Sequence, residues 1–250
     1  MYIDYYEKYL SSIYRKKSGE LLSQSSVNHY MDALNKINKL LSDISYSDNS
    51  NLYEIDSLSD LKKIETFLKN NEEFIRLNKD GHQMYSSGLH RYMEFAEGKY
   101  FENIKDEVTI FDTPHDIPPE LYVKERYTHN RDRILINQAE KMVCYKCEID
   151  NTHKTFIAQR NHKPYVEGHH IIPLKMQNEF NNNLDMYANI LILCPTCHRF
   201  FHYGEKSDKL KLINQIYDVR NERLAASGIS LKRKEFIDLV EYSKSRNRYV

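Results

Sequence analysis

The sequence predicts an α+β protein, mostly helical, in two domains. Three observations lead there. The first hundred residues repeat apolar side chains at helical spacing. Three of the six prolines, Pro114, Pro118 and Pro119, cluster near the middle. The four cysteines form two C-x-x-C pairs in the second half. A length of 250 residues suits one large domain or two small ones, and a 40% hydrophobic share supplies a core.

The elements follow in order. Ser25 or Ser26 caps a predicted helix through Val27, Tyr30, Met31, Leu34, Ile37 and Leu41, the three-and-four spacing of one buried stripe. Ser57 followed by Asp60 resembles a capping box, with Leu61, Ile64 and Leu68 behind it on one face. A turn at Asp80–Gly81 precedes a helix through Leu89, Tyr92, Met93 and Phe95. The tyrosines and methionines of this half read as helical core. The proline-rich FDTPHDIPPELY reads as an extended linker. The predicted organisation is a helical domain over 1–110, a linker over 111–124 and a second domain over 125–250. The second domain opens on a basic helical stretch with Arg126, Arg131 and Arg133. It closes on a helix through Leu212, Ile213, Ile216, Tyr217 and Leu224, with Gly228 as its C-cap. A last helix from Ser230 carries Phe236, Ile237, Leu239 and Val240.

Charge separates the halves. Lys+Arg and Asp+Glu both total 36, yet residues 121–250 hold 22 basic and 15 acidic side chains, a net of +7. That leaves 14 basic and 21 acidic, a net of −7, for residues 1–120. The basic half is the better candidate for a phosphate backbone. No apolar run is long enough to span a membrane, and MYIDYYEKYL lacks the pattern of a signal peptide. The expected compartment is the cytosol, where thiols stay reduced.

Cys144, Cys147, Cys194 and Cys197 make the pairs CYKC and CPTC. Two residues between thiols let a tight turn aim both sulfurs at one ion, and two such knuckles complete the tetrahedron of a structural zinc. The segment between the knuckles, 148–193, is longer than a simple ribbon needs, so something is inserted. It contains YVEGHHIIPL, a predicted strand with Tyr165, Val166, Ile171, Ile172 and Leu174 around two histidines. Adjacent strand residues point to opposite faces, so His169 and His170 have different jobs. After the second knuckle comes CHRFFH. On a helix, His198 and His202 share a face and can hold a divalent cation, with a third ligand from the neighbouring strand. The imidazole facing away can take a proton from an attacking water, a division of labour suited to phosphodiester hydrolysis.

YVEGHHIIPL followed by LDMYANILILCPTCHRFFHYG resembles the HNH endonuclease family, with its ββα-metal fold, and looks closest to restriction-type HNH nucleases of bacteria. The resemblance covers roughly residues 125–245. It implies His169, His198 and His202 as ligands of a catalytic divalent cation, His170 as general base, and Asn189 as the residue that braces the hairpin loop and orients the base. It implies Glu167 as a carboxylate orienting an imidazole, and Arg199 as a contact to the scissile phosphate. Magnesium is the usual ion, and a three-imidazole site also suits manganese, nickel, cobalt or zinc. Asp185 reads as a turn before the second strand. His153 and His162 match no motif position and read as non-ligands.

The expectation is a metal-dependent endonuclease cutting double-stranded DNA, of type II-like or modification-dependent restriction type, in a bacterial or archaeal cytoplasm. A homodimer is expected, with the helical domain serving DNA recognition or dimerisation. The alternatives are a zinc module that binds DNA without cutting, or an HNH nuclease of another role, such as a homing enzyme, a toxin or an RNase.

Overall fold

Side-chain caps set where several of the helices begin. The structure, a computed structural model, describes residues 2–46, 51–104, 108–116 and 133–245, with side chains to residue 241. The described helices are α1 (Tyr2–Lys8), α2 (Gln24–Asp43), α3 (Leu58–Asn70), α4 (Glu72–Asp80), α5 (Met84–Ala96), α6 (Ile134–Met142), α7 (Pro195–Tyr203), α8 (Lys206–Ala226) and α9 (Arg233–Ser245). Strands β1 (Glu167–His170) and β2 (Ile190–Leu193) form an antiparallel pair. The architecture is thus the expected α+β one, mostly helical. The chain divides into two units, Met1–Ile104 with Asp132–Gln138, and Lys105–Arg131 with Ala139–Val250. Pro118, Pro119, Arg126 and Arg131 lie outside the described residues.

In the first unit, α2 starts earlier than the sequence predicts. Its cap is Ser23, whose Oγ accepts from the Ser26 N–H at 3.3 Å. Ser57 caps α3 as predicted, accepting from the Asp60 N–H at 3.2 Å. The tyrosines are core. Tyr6, Tyr9 and Tyr92 are fully buried, and Tyr92 donates its hydroxyl to Leu52 O at 2.8 Å. Tyr6 meets the Tyr92 ring edge-on, with centroids 5.0 Å apart. Helices α2 and α5 approach closely at Gly88. A Cβ there would sit 2.7 Å from Ala33 Cβ, which cannot swing away.

In the second unit, β2 is buried on both faces, as its unbroken Ile-Leu-Ile-Leu requires. Leu191 and Leu193 join Phe201, Ile213, Ile216, Leu224, Phe236 and Val240 in one core. Ile190 and Ile192 instead line a cavity of about 130 Å³ with Ala139, Met142, Val143 and Tyr187. Strand β1 is shorter than the apolar run Tyr165–Leu174 predicts. It ends at His170 because Asn189 captures the next main chain: Ile171 N–H donates to Asn189 O at 2.9 Å and Ile172 N–H to Asn189 Oδ1 at 2.8 Å. The other edge of β2 is closed by Glu148, beside Cys147. Its N–H donates to Ile192 O at 2.9 Å and its carboxylate accepts from Ile192 N–H at 2.6 Å. Buried Arg220 of α8 holds that carboxylate in turn. Helix α8 ends at Ala226 with Gly228 in the left-handed region, φ +85°, as predicted. The last helix starts at Arg233 rather than at Ser230, and the Glu235 carboxylate accepts the Lys232 N–H at 2.7 Å.

Gly88→Val is expected to destabilise the protein by about 1–3 kcal/mol through overpacking against Ala33, measured by urea unfolding. An unchanged midpoint would show that α2 and α5 can separate freely.

Candidate active site

The register of the hairpin assigns the faces. Glu167 pairs with Leu193, Gly168 with Ile192, His169 with Leu191 and His170 with Ile190. Paired residues share a face, so Glu167 and His169 lie on the side of Leu191 and Leu193, and His170 lies on the other. Helix α7 packs on the first side. Its Pro195 is pre-set for a first turn, and the Cys194 sulfur caps that turn by accepting from the Cys197 N–H at 3.4 Å. One turn apart on α7, His198 and His202 face the strand.

His169, His198 and His202 each bring a ring nitrogen within 4.8 Å of the other two. The His169 ring lies 5.1 Å from that of His198 and 5.2 Å from that of His202, centroid to centroid, and rests on Phe201 at 5.1 Å. The Nε2 atoms of His198 and His202 are 3.2 Å apart. Nitrogens bound at about 2.0–2.1 Å to one tetrahedral ion stand about 3.3 Å apart, so this donor set fits a divalent cation. Glu167 fixes the ring that matters. His198 Nδ1–H donates to Glu167 Oε2 at 2.5 Å, which leaves Nε2 for an ion. Tyr165 donates to the other carboxylate oxygen at 2.8 Å. Burial pushes the Glu167 carboxyl up. The Tyr165 hydroxyl, the His198 ring and the charge of Arg199 more than reverse this, and hold it below the usual carboxylate range. Arg199 is exposed beside these groups.

His170 stands apart from that trio. Its Nε2–H donates to Asp185 Oδ1 at 2.8 Å, with the side chains only 11% and 2% exposed. A carboxylate can only accept, so this bond places the proton on Nε2 and the lone pair of the neutral ring on Nδ1. The sequence reads Asp185 as a turn residue and misses this pairing. Its signal was faint: an acid in the loop that the hairpin must close, fifteen residues from the histidine. The loop is held by Asn189, which is 0% exposed. Besides accepting from Ile172, its Nδ2 donates to Ile172 O and Leu184 O, each at 2.8 Å. Asp185 thus sits directly after an anchored residue.

The second cluster holds Cys147, His153, Cys194 and Cys197, with ligand atoms within 4.8 Å of one another. The sequence reads His153 as a non-ligand, yet its Nδ1 lies 3.5 Å from Cys194 Sγ and 3.4 Å from Cys197 Sγ, which makes it a candidate donor. Its position six residues after Cys147 was the available signal. Cys144, with φ +51°, lies at the end of α6 outside this group of four, and its thiol is in no disulfide. Burial pushes the Cys147 thiol up, but N–H donors from Cys194, Asp150, His153 and Ile149 bring it down to about 7. Burial and the neighbouring sulfurs raise Cys197.

A short antiparallel hairpin laid on a helix, with imidazoles from both and a cysteine cluster at its base, has the ββα-metal arrangement that the sequence resemblance implies. The comparisons agree. Residues 147–205 match the family model described as HNH endonuclease. The chain is also similar to the type IV methyl-directed restriction enzyme EcoKMcrA of Escherichia coli (strain K12), at 40% identity over 47 residues. That match spans 19% of this chain and 15% of the enzyme. No solved structure matches.

Asn189→Ala is expected to cost about 2–4 kcal/mol, because it leaves buried amides of the loop without partners. Chemical denaturation measures it, and a loss below 1 kcal/mol would mean that water replaces the amide. Stripping metal with a chelator is expected to lower the melting temperature of the second unit, with stoichiometric zinc restoring it. A melt indifferent to zinc would rule out a structural ion at the cysteines.

Proposed function

We propose that the chain is a metal-dependent endonuclease that hydrolyses phosphodiester bonds in double-stranded DNA, in a restriction role. The observation that carries this reading is the split of the histidine doublet. His169 joins His198 and His202 on the helix side, and His170 is held by Asp185 on the other side.

In this reading His169, His198 and His202 hold the divalent cation, magnesium being the usual choice. When bound, such an ion supplies charge stabilisation to the phosphate oxygens and the leaving oxygen. The chain's own groups do the rest. His170 Nδ1 takes a proton from water as the water oxygen attacks phosphorus. The bond from phosphorus to the leaving oxygen then breaks. Asp185 keeps the proton on Nε2, so the base nitrogen is available, and it stabilises the imidazolium that forms. Asn189 holds the loop that carries Asp185. Glu167 holds the His198 ring, and Arg199 faces the phosphate. Cys147, Cys194 and Cys197 are the proposed zinc ligands, with the fourth position taken by Cys144, as the sequence expects, or by His153, whose Nδ1 lies against two of the sulfurs. Double-strand cleavage by one such centre calls for two copies, so the working form is a homodimer. The relative named as methyl-directed supports a modification-dependent variant of the restriction role.

His170→Ala is expected to lower the cleavage rate of duplex DNA by about 10²–10⁴-fold with DNA binding retained. Asp185→Asn is expected to lower kcat by at least about 10²-fold with KM little changed, because the neutral amide no longer stabilises the imidazolium and can offer an N–H donor that favours the wrong tautomer. Supercoiled and linear substrates, methylated and unmethylated, digested side by side and end-sequenced, report both effects and the substrate class. Full activity in His170→Ala would remove the stated mechanism. Binding without any cutting by the parent would favour a DNA-binding module.

A further inference from the structure

The arm between the cysteine cluster and β1, residues 151–166, is not used by the mechanism above. It contains Lys154, Arg160 and Lys163, two histidines, and no Asp or Glu. It is an ordered hairpin. Tyr165 N–H donates to Phe156 O and Ala158 N–H to Lys163 O, each at 2.8 Å, and Ile157 pairs with Pro164. His162 turns the chain with φ +54°. The burial is inverted at its base: Phe156 is 63% and Ile157 59% exposed. Phe156 is nonetheless fixed, stacked on Tyr165 with centroids 4.6 Å apart and planes 18° apart. Tyr165 in turn reaches Glu167, and Glu167 reaches His198. The exposed apolar pair is therefore joined to the histidine cluster through two side chains, Tyr165 and Glu167.

An exposed aromatic–aliphatic pair, on an arm that carries three cations and no carboxylate, suits a partner that is anionic at its edge and apolar within. Arg160 is tied to Glu140 at 2.6 Å and Lys163 lies over the Tyr145 ring at 5.7 Å, both partners off the arm, while Lys154 is exposed. Duplex DNA meets that description. Its phosphates line the groove, and its sugars and base edges give apolar contact to wedge side chains.

We propose that hairpin 156–165 is a DNA-contacting arm, with Phe156 and Ile157 packing into a groove of the duplex beside the cleavage site and Lys154 on a flanking phosphate. The identity of the polymer rests on the nuclease reading. The arm also explains the long insertion between the knuckles: part of it carries the strand, and part reaches for substrate.

The test is binding of a mixed-sequence duplex by the full chain without added divalent ion, followed by fluorescence anisotropy at several salt concentrations, with cleavage assayed in parallel. The double variant Phe156→Ala, Ile157→Ala is expected to bind about tenfold or more weakly, with an unchanged melting temperature. Lys154→Gln is expected to reduce the slope of log Kd against log salt by about one. Parent-like affinity and slope in both variants overturn the arm, while cleavage by the parent leaves the nuclease reading standing. A parent that binds through the arm but never cuts removes the nuclease reading and keeps the arm. A parent that binds no duplex overturns both. If the double variant unfolds, the exposed Lys154→Gln decides the matter alone.

Discussion

Everything at the candidate centre depends on the antiparallel register of β1 and β2. With His169 opposite Leu191 and His170 opposite Ile190, one imidazole turns toward α7 and the other toward the loop that holds Asp185. A slip of one residue would exchange the two faces and with them the two roles. The pair is only four residues long on each side, too little to set its own register. The register is fixed from outside: by Asn189, which captures the backbone where β1 ends, and by the buried apolar face of β2.

The cysteine cluster serves that same hairpin. Cys194 ends the turn into α7 and caps the helix that presents His198 and His202. Glu148, next to Cys147, bonds the free edge of β2 and is itself held by Arg220. An ion between the knuckles would therefore pull on strand, helix and edge together. A unit with so small a sheet gains most from such a tie, because chain entropy otherwise opposes holding short elements in place. His153, lying against two of the sulfurs, belongs to both the cluster and the start of the inserted arm.

Two histidine–carboxylate pairs divide the chemistry. Glu167 accepts from His198 Nδ1 and frees Nε2 toward the neighbouring rings. Asp185 accepts from His170 Nε2 and leaves Nδ1 with its lone pair. The same interaction thus prepares one ring to hold an ion and the other to accept a proton. The difference lies only in which nitrogen is engaged and in what faces the one left over.

The sequence by itself determined the helical nature of the first half, the fold class, the doublet with its two faces, and the i, i+4 histidines after CPTC. All of these rest on local rules, namely spacing along a helix, alternation along a strand and thiols around a turn. It erred or fell silent where a distant group intervenes. The run Tyr165–Leu174 looks like one long strand because alternation cannot show that Asn189 will take the next amides. Ser23 caps α2 although Ser25 and Ser26 stand closer to the apolar stripe. Asp185 and His153 carry only faint signals, an acid in the hairpin loop and a histidine six residues after Cys147, which by themselves do not pair them with His170 or the thiols. Only the folded chain brings Asp185 to His170 and His153 to Cys194 and Cys197, because those pairings cross 15 to 44 residues and exist only once the hairpin, the loop and α7 are packed together.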